Sequence, residues 1–310
     1  MFCLGLKLGL ISMIIVRGKE ALELYTVEFT TVNSQMSSRD NIEAGGSNGF
    51  AIKDVLEHVK SHGPKLVPFF KTVGMYFFFF IPHENPSVYA MILKCLPCLA
   101  LSIFICLHGI SAGKEHAYSR KILAGLLFSC LGDAFLVWPT YFPHGMAAFG
   151  VAQIFYSWAY GFSHPHWTVG GIVYAVNTLG LAVVIPNMTN VPLPVVVGLP
   201  TYSLLLMMMV WRGIARVENL GKWTWSKLCS SVGGILFAIS DSLIGISLFL
   251  YPFAYSQVLI MSTYYTAQLC IALSIVQTDF SFEFPRASDR VHGREISSRQ
   301  LESTPVTSAK

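Results

Sequence analysis

The stretch that decides the fold is KILAGLLFSCLGDAFLVWPTYFPH, at residues 121–144. It follows Arg120, stays apolar for the length of a membrane span, and carries one carboxylate, Asp133. An ionisable group at that depth costs several kcal/mol unless it faces protein or trapped water, so its default interpretation is functional. A second segment, GGILFAISDSLIGI at residues 233–246, repeats the pattern with Asp241. We interpret the two aspartates as one site.

The composition is that of a membrane protein. The 310 residues are 53% hydrophobic and only 12% charged, and apolar segments repeatedly reach the ~20 residues that a bilayer requires. The net charge of +4 does not indicate nucleic-acid binding, because the basic residues lie between the apolar segments and in the tails. Their distribution indicates membrane orientation instead.

The predicted fold is an all-α polytopic membrane bundle of about eight transmembrane helices within residues 63–277. Residues 1–62 are predicted to be an N-terminal extension with no assigned activity and a linker at 37–49. Residues 1–16 are either a marginal extra hydrophobic segment or part of a disordered extension. Residues 278–310 are predicted to be a polar, disordered cytosolic tail. The predicted spans are residues 65–82, 87–110, 121–138, 143–163, 168–186, 191–211, 227–250 and 257–276.

Positive charge in the connectors predicts the orientation. The connectors at 111–121 and 212–227 are rich in Lys and Arg, whereas those after spans one, three, five and seven have none. With both termini cytosolic, every positive connector falls on the cytosolic side. The predicted location is the endoplasmic reticulum, which follows from the resemblance described below.

Helical rise brings the unusual polar residues to one depth. Asp133 lies roughly 18 Å from Lys121 along its span, and Asp241 roughly 21 Å from Lys227 along a parallel span. The same count places Lys94 of span two in that layer, together with three residues of span eight: Tyr264, Tyr265 and Gln268. The parallel segments GLLFSCLGD and GILFAISD, four spans apart, suggest two four-span repeats.

Two buried carboxyl groups and a lysine suggest acid–base chemistry. Since two like charges in a low-dielectric site cannot both ionise cheaply, one carboxyl group is expected to keep its proton near neutral pH. The other, helped by Lys94, is expected to stay ionised, which supplies a general acid and a general base. The alternative is that Asp and Lys merely hold helices together.

Several segments together resemble the lysoplasmalogenase family of YhhN-like membrane proteins. They are GPKLVPFFK (63–71), LKCLP (93–97), GDAFLVW (132–138), YFPHGMAAF (141–149), ISD (239–241) and LIMSTYYTAQLCIALS (259–274). The family hydrolyses the vinyl ether bond of lysoplasmalogens to a fatty aldehyde and glycerophosphocholine or glycerophosphoethanolamine. The resemblance therefore implies a lysophospholipid substrate and water, with no cofactor.

The resemblance also implies roles for residues. Asp133 and Asp241 match the family's two active-site aspartates. Six other residues match polar positions that line the pocket: Lys71, Lys94, His144, Tyr264, Tyr265 and Gln268. One departure is Gln153, which stands where a histidine is expected.

The sequence is also compatible with other functions. Buried charges in parallel repeats also describe a transporter or proton-coupled carrier, and a catalytically silent lipid-binding protein is a third possibility. Cys95 and Cys98 have redox-motif spacing but lie inside a span, and no metal site is expected because no span interior offers several histidines near the carboxylates.

Overall fold

The computed structural model describes residues 47–79, 81, 86–110, 113–163, 166–188, 191–218, 223–276 and 281–282. The interpretations of residues 1–46 and of most of the C-terminal tail lie outside these ranges. The chain divides into two compact units, residues 1–61 and residues 62–310. The second unit contains the candidate site.

Eight α-helices account for nearly all of the described residues. They are α1 (Ser47–Phe79), α2 (Val88–His108), α3 (Ala117–Phe135), α4 (Phe142–Tyr160), α5 (Trp167–Val184), α6 (Leu193–Glu218), α7 (Trp225–Gly245) and α8 (Ser256–Leu273). A π-helical turn, Ile246–Leu250, continues α7. A two-residue antiparallel pair joins β1 (Trp223–Thr224) to β2 (Ser281–Phe282). The predicted all-α bundle is confirmed.

Exposed apolar side chains identify the outer surface as lipid-facing. On α5, Ile172 is 67% exposed, Val176 63% and Leu179 70%, at helical spacing along one outward face. By length and apolarity, α2, α5, α6 and α7 each qualify as membrane spans among the described residues. The chain is therefore a multi-pass membrane protein, in which four of the eight predicted spans are supported individually.

Two helices extend beyond their predicted spans, and the first is α1, which begins at Ser47, within the predicted N-terminal extension, rather than at residue 65. Span six was expected to end at residue 211, but α6 continues to Glu218 and includes Arg212 and Arg216. The side chain of Arg212 donates from Nε to the carbonyl oxygen of Gly161 at 2.6 Å and from Nη2 to that of Ser163 at 2.8 Å. Because these carbonyl oxygens satisfy the guanidinium, the helix extends beyond its apolar stretch.

Glycines bring neighbouring helices close together near the site. On α3 and α4, Gly125 lies against Tyr156 and Gly132 against Phe149, so the two helices run antiparallel. On α7, a Cβ at Gly233 would lie 3.0 Å from the backbone nitrogen of Ile271 in α8. This closeness lets side chains from α3, α4, α7 and α8 meet in one interior.

Replacing Gly233 with valine is expected to destabilise the bundle by about 1–3 kcal/mol, because the backbone of α8 leaves no room for the added atoms. Thermal unfolding in detergent measures the effect. Gly180→Val is the matched control, since no heavy atom lies within 4 Å of a Cβ built at that position. Equal losses of stability in the two variants would contradict the proposed close approach.

Candidate active site

Asp133 lies at the centre of a cluster built by three helices. Its side chain is buried, and its Oδ2 accepts hydrogen bonds from the Tyr264 hydroxyl at 2.6 Å and from the Cys98 thiol at 3.4 Å. The Nζ of Lys94 lies 3.8 Å from the other carboxylate oxygen, Oδ1. Asp133 is thus surrounded by donors and one cation, which favours the ionised carboxylate.

Aromatic neighbours hold Lys94 in place through a hydrogen bond to its backbone. The hydroxyl of Tyr265 donates to the carbonyl oxygen of Lys94 at 3.0 Å. The Tyr265 ring in turn packs edge-on against Tyr76 of α1, with ring centroids 5.4 Å apart. Since Lys94 is only 6% exposed, its ammonium depends on Asp133 for charge balance.

Asp241 occupies a different setting on α7. Its Oδ2 accepts a short hydrogen bond from the hydroxyl of Tyr202 on α6. The side chain is half-buried, in contrast to Asp133, and no described cation pairs with it. Aromatic contacts connect the two residues, because Tyr264, which binds Asp133, packs against Phe237, one turn before Asp241. The site therefore contains one carboxyl group paired with a lysine and one without a cation.

An aromatic cluster adjoins both acids. The rings of Phe149, Phe237 and Tyr264 lie in pairwise edge-to-face contact, with centroid separations of 5.7 to 6.0 Å. Tyr264 also binds Asp133, and Phe237 precedes Asp241 by one helical turn. The cluster gives the site an apolar wall of π faces, which attract positive charge.

Of the residues predicted to share one depth, Asp133, Lys94, Tyr264 and Tyr265 lie in one network. Gln268 belongs to a neighbouring hydrogen-bond network, in which its Oε1 accepts a hydrogen bond from the Tyr156 hydroxyl at 3.0 Å.

Lys71 and His144 do not belong to either network. Both are exposed, and no hydrogen bond or ion pair between described residues joins either to an aspartate. His144 packs near the rings of Phe135 and Tyr141 at the end of α3.

Two residues that contact the acids directly were not predicted from the sequence. Tyr202 lies in an apolar span. Only its depth in the membrane, which matches that of Asp241, could have indicated its contact with that carboxyl group. Cys98 was weighed only as half of a redox motif, yet its thiol contacts both Asp133 and the Tyr264 hydroxyl. Among the described residues, no three His, Cys, Asp or Glu side chains are grouped to hold a metal ion.

The fold and the site define a class: helical multi-pass membrane proteins with a buried acid–lysine cluster and a second carboxyl group nearby. The model of the YhhN family matches residues 89–275, which span α2 to α8 and both aspartates. The chain belongs to the YhhN family.

Its relatives carry one activity in their names. The chain is 40% identical over 223 residues to lysoplasmalogenase TMEM86A of Bos taurus, covering 71% of this chain and 92% of that protein. It is 39% identical to the Homo sapiens lysoplasmalogenase TMEM86A over the same shares. Lysoplasmalogenase TMEM86B of Sus scrofa is 38% identical over 218 residues, 70% of this chain and 88% of that protein. No solved structure matches the chain.

Proposed function

We propose that the protein is a lysoplasmalogenase, a membrane ether hydrolase that cleaves the vinyl ether bond of lysoplasmalogens. The observation that carries the proposal is the unequal acid pair: Asp133 with three donors around it, and Asp241 with Tyr202 but no described cation. Vinyl ether hydrolysis requires both a proton donor and a carboxylate in one site. Curated relatives of the same family bear the name of this activity.

The surroundings of each acid suggest its role. Asp133, paired with Lys94 and accepting from Tyr264 and Cys98, acts as the carboxylate. Asp241 accepts one hydrogen bond at Oδ2, which leaves Oδ1 to carry a proton. Asp241 is therefore the general acid and Asp133 the general base.

The proposed reaction consumes one water and regenerates both acids. Asp241 protonates the alkenyl carbon distal to the ether oxygen, which forms an oxocarbenium ion that Asp133 and the aromatic cluster stabilise. Water adds to the carbon bonded to oxygen while Asp133 takes its proton. The resulting hemiacetal returns a proton to Asp241 as Asp133 protonates the departing glycerol oxygen. The products are a fatty aldehyde and the glycerophospho-alcohol.

The half-exposed side of the site suggests how the lipid approaches. Asp241 and Tyr202 are both half-buried, on α7 and α6, so a single-chain lipid would reach Asp241 first. Its hydrocarbon tail would remain among the exposed apolar side chains of the bundle surface. Lys71 and His144 remain candidates for the phosphate head group. An endoplasmic reticulum location with both termini cytosolic remains part of the proposal.

The deciding experiment uses purified protein in detergent with an alkenyl lysolipid and its alkyl analogue. Aldehyde release from the alkenyl lipid alone is the expected result, because only a vinyl ether forms an oxocarbenium ion on protonation. A transporter or a silent lipid-binding protein would release aldehyde from neither lipid. A transporter would instead show flux in sealed vesicles, which hydrolysis does not require.

Replacing Tyr264 with phenylalanine is expected to lower kcat for aldehyde release about 10- to 100-fold, since a hydrogen bond to a charged group is worth about 1.5–3 kcal/mol. The ring contacts with Phe149 and Phe237 remain. Tyr174→Phe is the matched control. The Tyr174 hydroxyl, on the exposed side of α5, donates a hydrogen bond to the carbonyl oxygen of Leu204 in α6. A wild-type kcat in Tyr264→Phe would exclude a catalytic contribution of this bond.

A further inference from the structure

Helix α4 turns a polar stripe toward the interior of the bundle. Gln153, Tyr156, Ser157 and Tyr160 follow one another at spacings of three, one and three residues, which places them on one helical face. All four are buried, with exposures between 0% and 4%. A membrane helix with its polar face inward lines either a tight hydrogen-bond network or a hydrated passage.

Most of this stripe has no protein partner. Both amide atoms of Gln153, the Ser157 hydroxyl and the Tyr160 hydroxyl make no hydrogen bond with any described residue, nor does Nε2 of Gln268 on α8. Tyr202 lies beside Gln153, but its hydroxyl donates its hydrogen bond to Asp241. Each such group costs about 1–3 kcal/mol when left unsatisfied, so five together imply a partner other than protein.

The stripe connects to Asp133 through Tyr156, near its middle. Tyr156 donates to Oε1 of Gln268 at 3.0 Å, and its hydroxyl lies 3.3 Å from that of Ser129. Ser129 precedes Asp133 by one turn of α3. The polar side chains therefore continue from α4 to the proposed general base.

The Tyr160 end of the stripe reaches the surface of the bundle beside Arg216. The guanidinium of this half-buried arginine lies 5.9 Å from the centre of the Tyr160 ring and donates to the Tyr118 hydroxyl at 2.9 Å. Tyr118 contacts the Ser274 hydroxyl at 2.7 Å. From Tyr160 to Tyr156 the stripe rises about 6 Å, the length of a short file of water molecules, and Gln153 continues it by one turn toward Tyr202.

We propose that this stripe lines a hydrated column that carries water from the Arg216 end to Asp133. Each buried water needs two to four polar partners, and the unpaired groups of Gln153, Ser157, Tyr160 and Gln268 supply them. The proposal deepens the proposed function, on which it rests: hydrolysis consumes one water per turnover, while the lipid occupies the half-exposed side near Asp241.

X-ray hydroxyl-radical labelling in ¹⁸O-water tests the column directly. The full-length protein in detergent is mixed with ¹⁸O-water, irradiated after a short delay, and digested for mass spectrometry. Tyr156 and Tyr160 are expected to gain about tenfold more ¹⁸O than Phe104, which is equally buried in the apolar core, because radicals form from water next to the labelled ring. Labelling of both tyrosines at the level of Phe104 would overturn the proposal.

The direction of supply is tested by Ser157→Val, which fills the column between the two tyrosines. Labelling of Tyr156 is expected to fall several-fold while that of Tyr160 is retained, since water enters from the Arg216 end. Loss at Tyr160 with Tyr156 retained, or no change at either, would overturn the proposed route. Ser102→Val is the control, because the Ser102 hydroxyl already donates to the carbonyl oxygen of Cys98, away from the stripe.

Activity separates this proposal from the one it rests on. In Ser157→Val, kcat for aldehyde release is expected to fall several-fold with KM for the alkenyl lysolipid unchanged. If the wild-type protein labels as described but releases no aldehyde, the proposed function fails and the hydrated column stands. If aldehyde is released but the tyrosines stay unlabelled, the column fails and the function stands.

Discussion

Replacing Asp133 by asparagine is expected to lower kcat for aldehyde release about a thousandfold, with the protein still inserted in the membrane. The amide can neither take a proton from water nor stabilise the oxocarbenium ion with a full charge. It keeps the shape of the carboxylate, so Tyr264 and Cys98 retain a hydrogen-bond acceptor. The measurement is single-turnover aldehyde release by purified protein in detergent.

Loss of stability is the competing explanation, because Asp133→Asn leaves the buried Lys94 without its counter-ion. Removing one member of a buried ion pair costs about 3–5 kcal/mol. The double variant Asp133→Asn/Lys94→Met removes both charges, and it is expected to recover the melting temperature but not the activity. Recovery of aldehyde release along with stability would refute a catalytic role for Asp133.

Depth along the membrane was predictable from the sequence, whereas rotation about each helix axis was not. Counting 1.5 Å per residue placed Lys94, Asp133 and Tyr264 at one level, and the structure brings them into contact. Tyr202 lies on α6, and only the packing of α6 against α7 turns it toward Asp241. Side-chain packing fixes that rotation, and an apolar span with little periodicity does not encode it.

The polar stripe of α4 was only half visible in the sequence. The helical spacing of Gln153, Tyr156 and Tyr160 is compatible with a cavity lining, but lipid-facing tyrosines at the ends of spans have a similar pattern. Burial separates the two interpretations, because Gln153 and Tyr156 are fully enclosed. Gly125 makes this possible, since Tyr156 fills the space that a larger residue at position 125 would occupy.

Replacing Asp241 by alanine is expected to lower kcat about a thousandfold as well, because the alkenyl carbon is then protonated only by water. Asp241→Ala removes a proton donor, whereas Asp133→Ala removes a proton acceptor, so the two variants should respond differently to an added acid. A small carboxylic acid that diffuses into the space left by the side chain replaces a missing general acid only in its protonated form. Formate added to Asp241→Ala is therefore expected to restore aldehyde release increasingly as the pH falls.

Asp133→Ala provides the comparison, since a missing carboxylate is replaced only by the formate anion and rescue should increase as the pH rises. Acetate and the bulkier pivalate serve as size controls, because a side-chain-sized space beside Tyr202 admits the first better than the second. The opposite pair of pH trends would exchange the roles of the two aspartates. If rescue increases with the formate anion in both variants, Asp241 is not the proton donor. Another group would then have to protonate the alkenyl carbon.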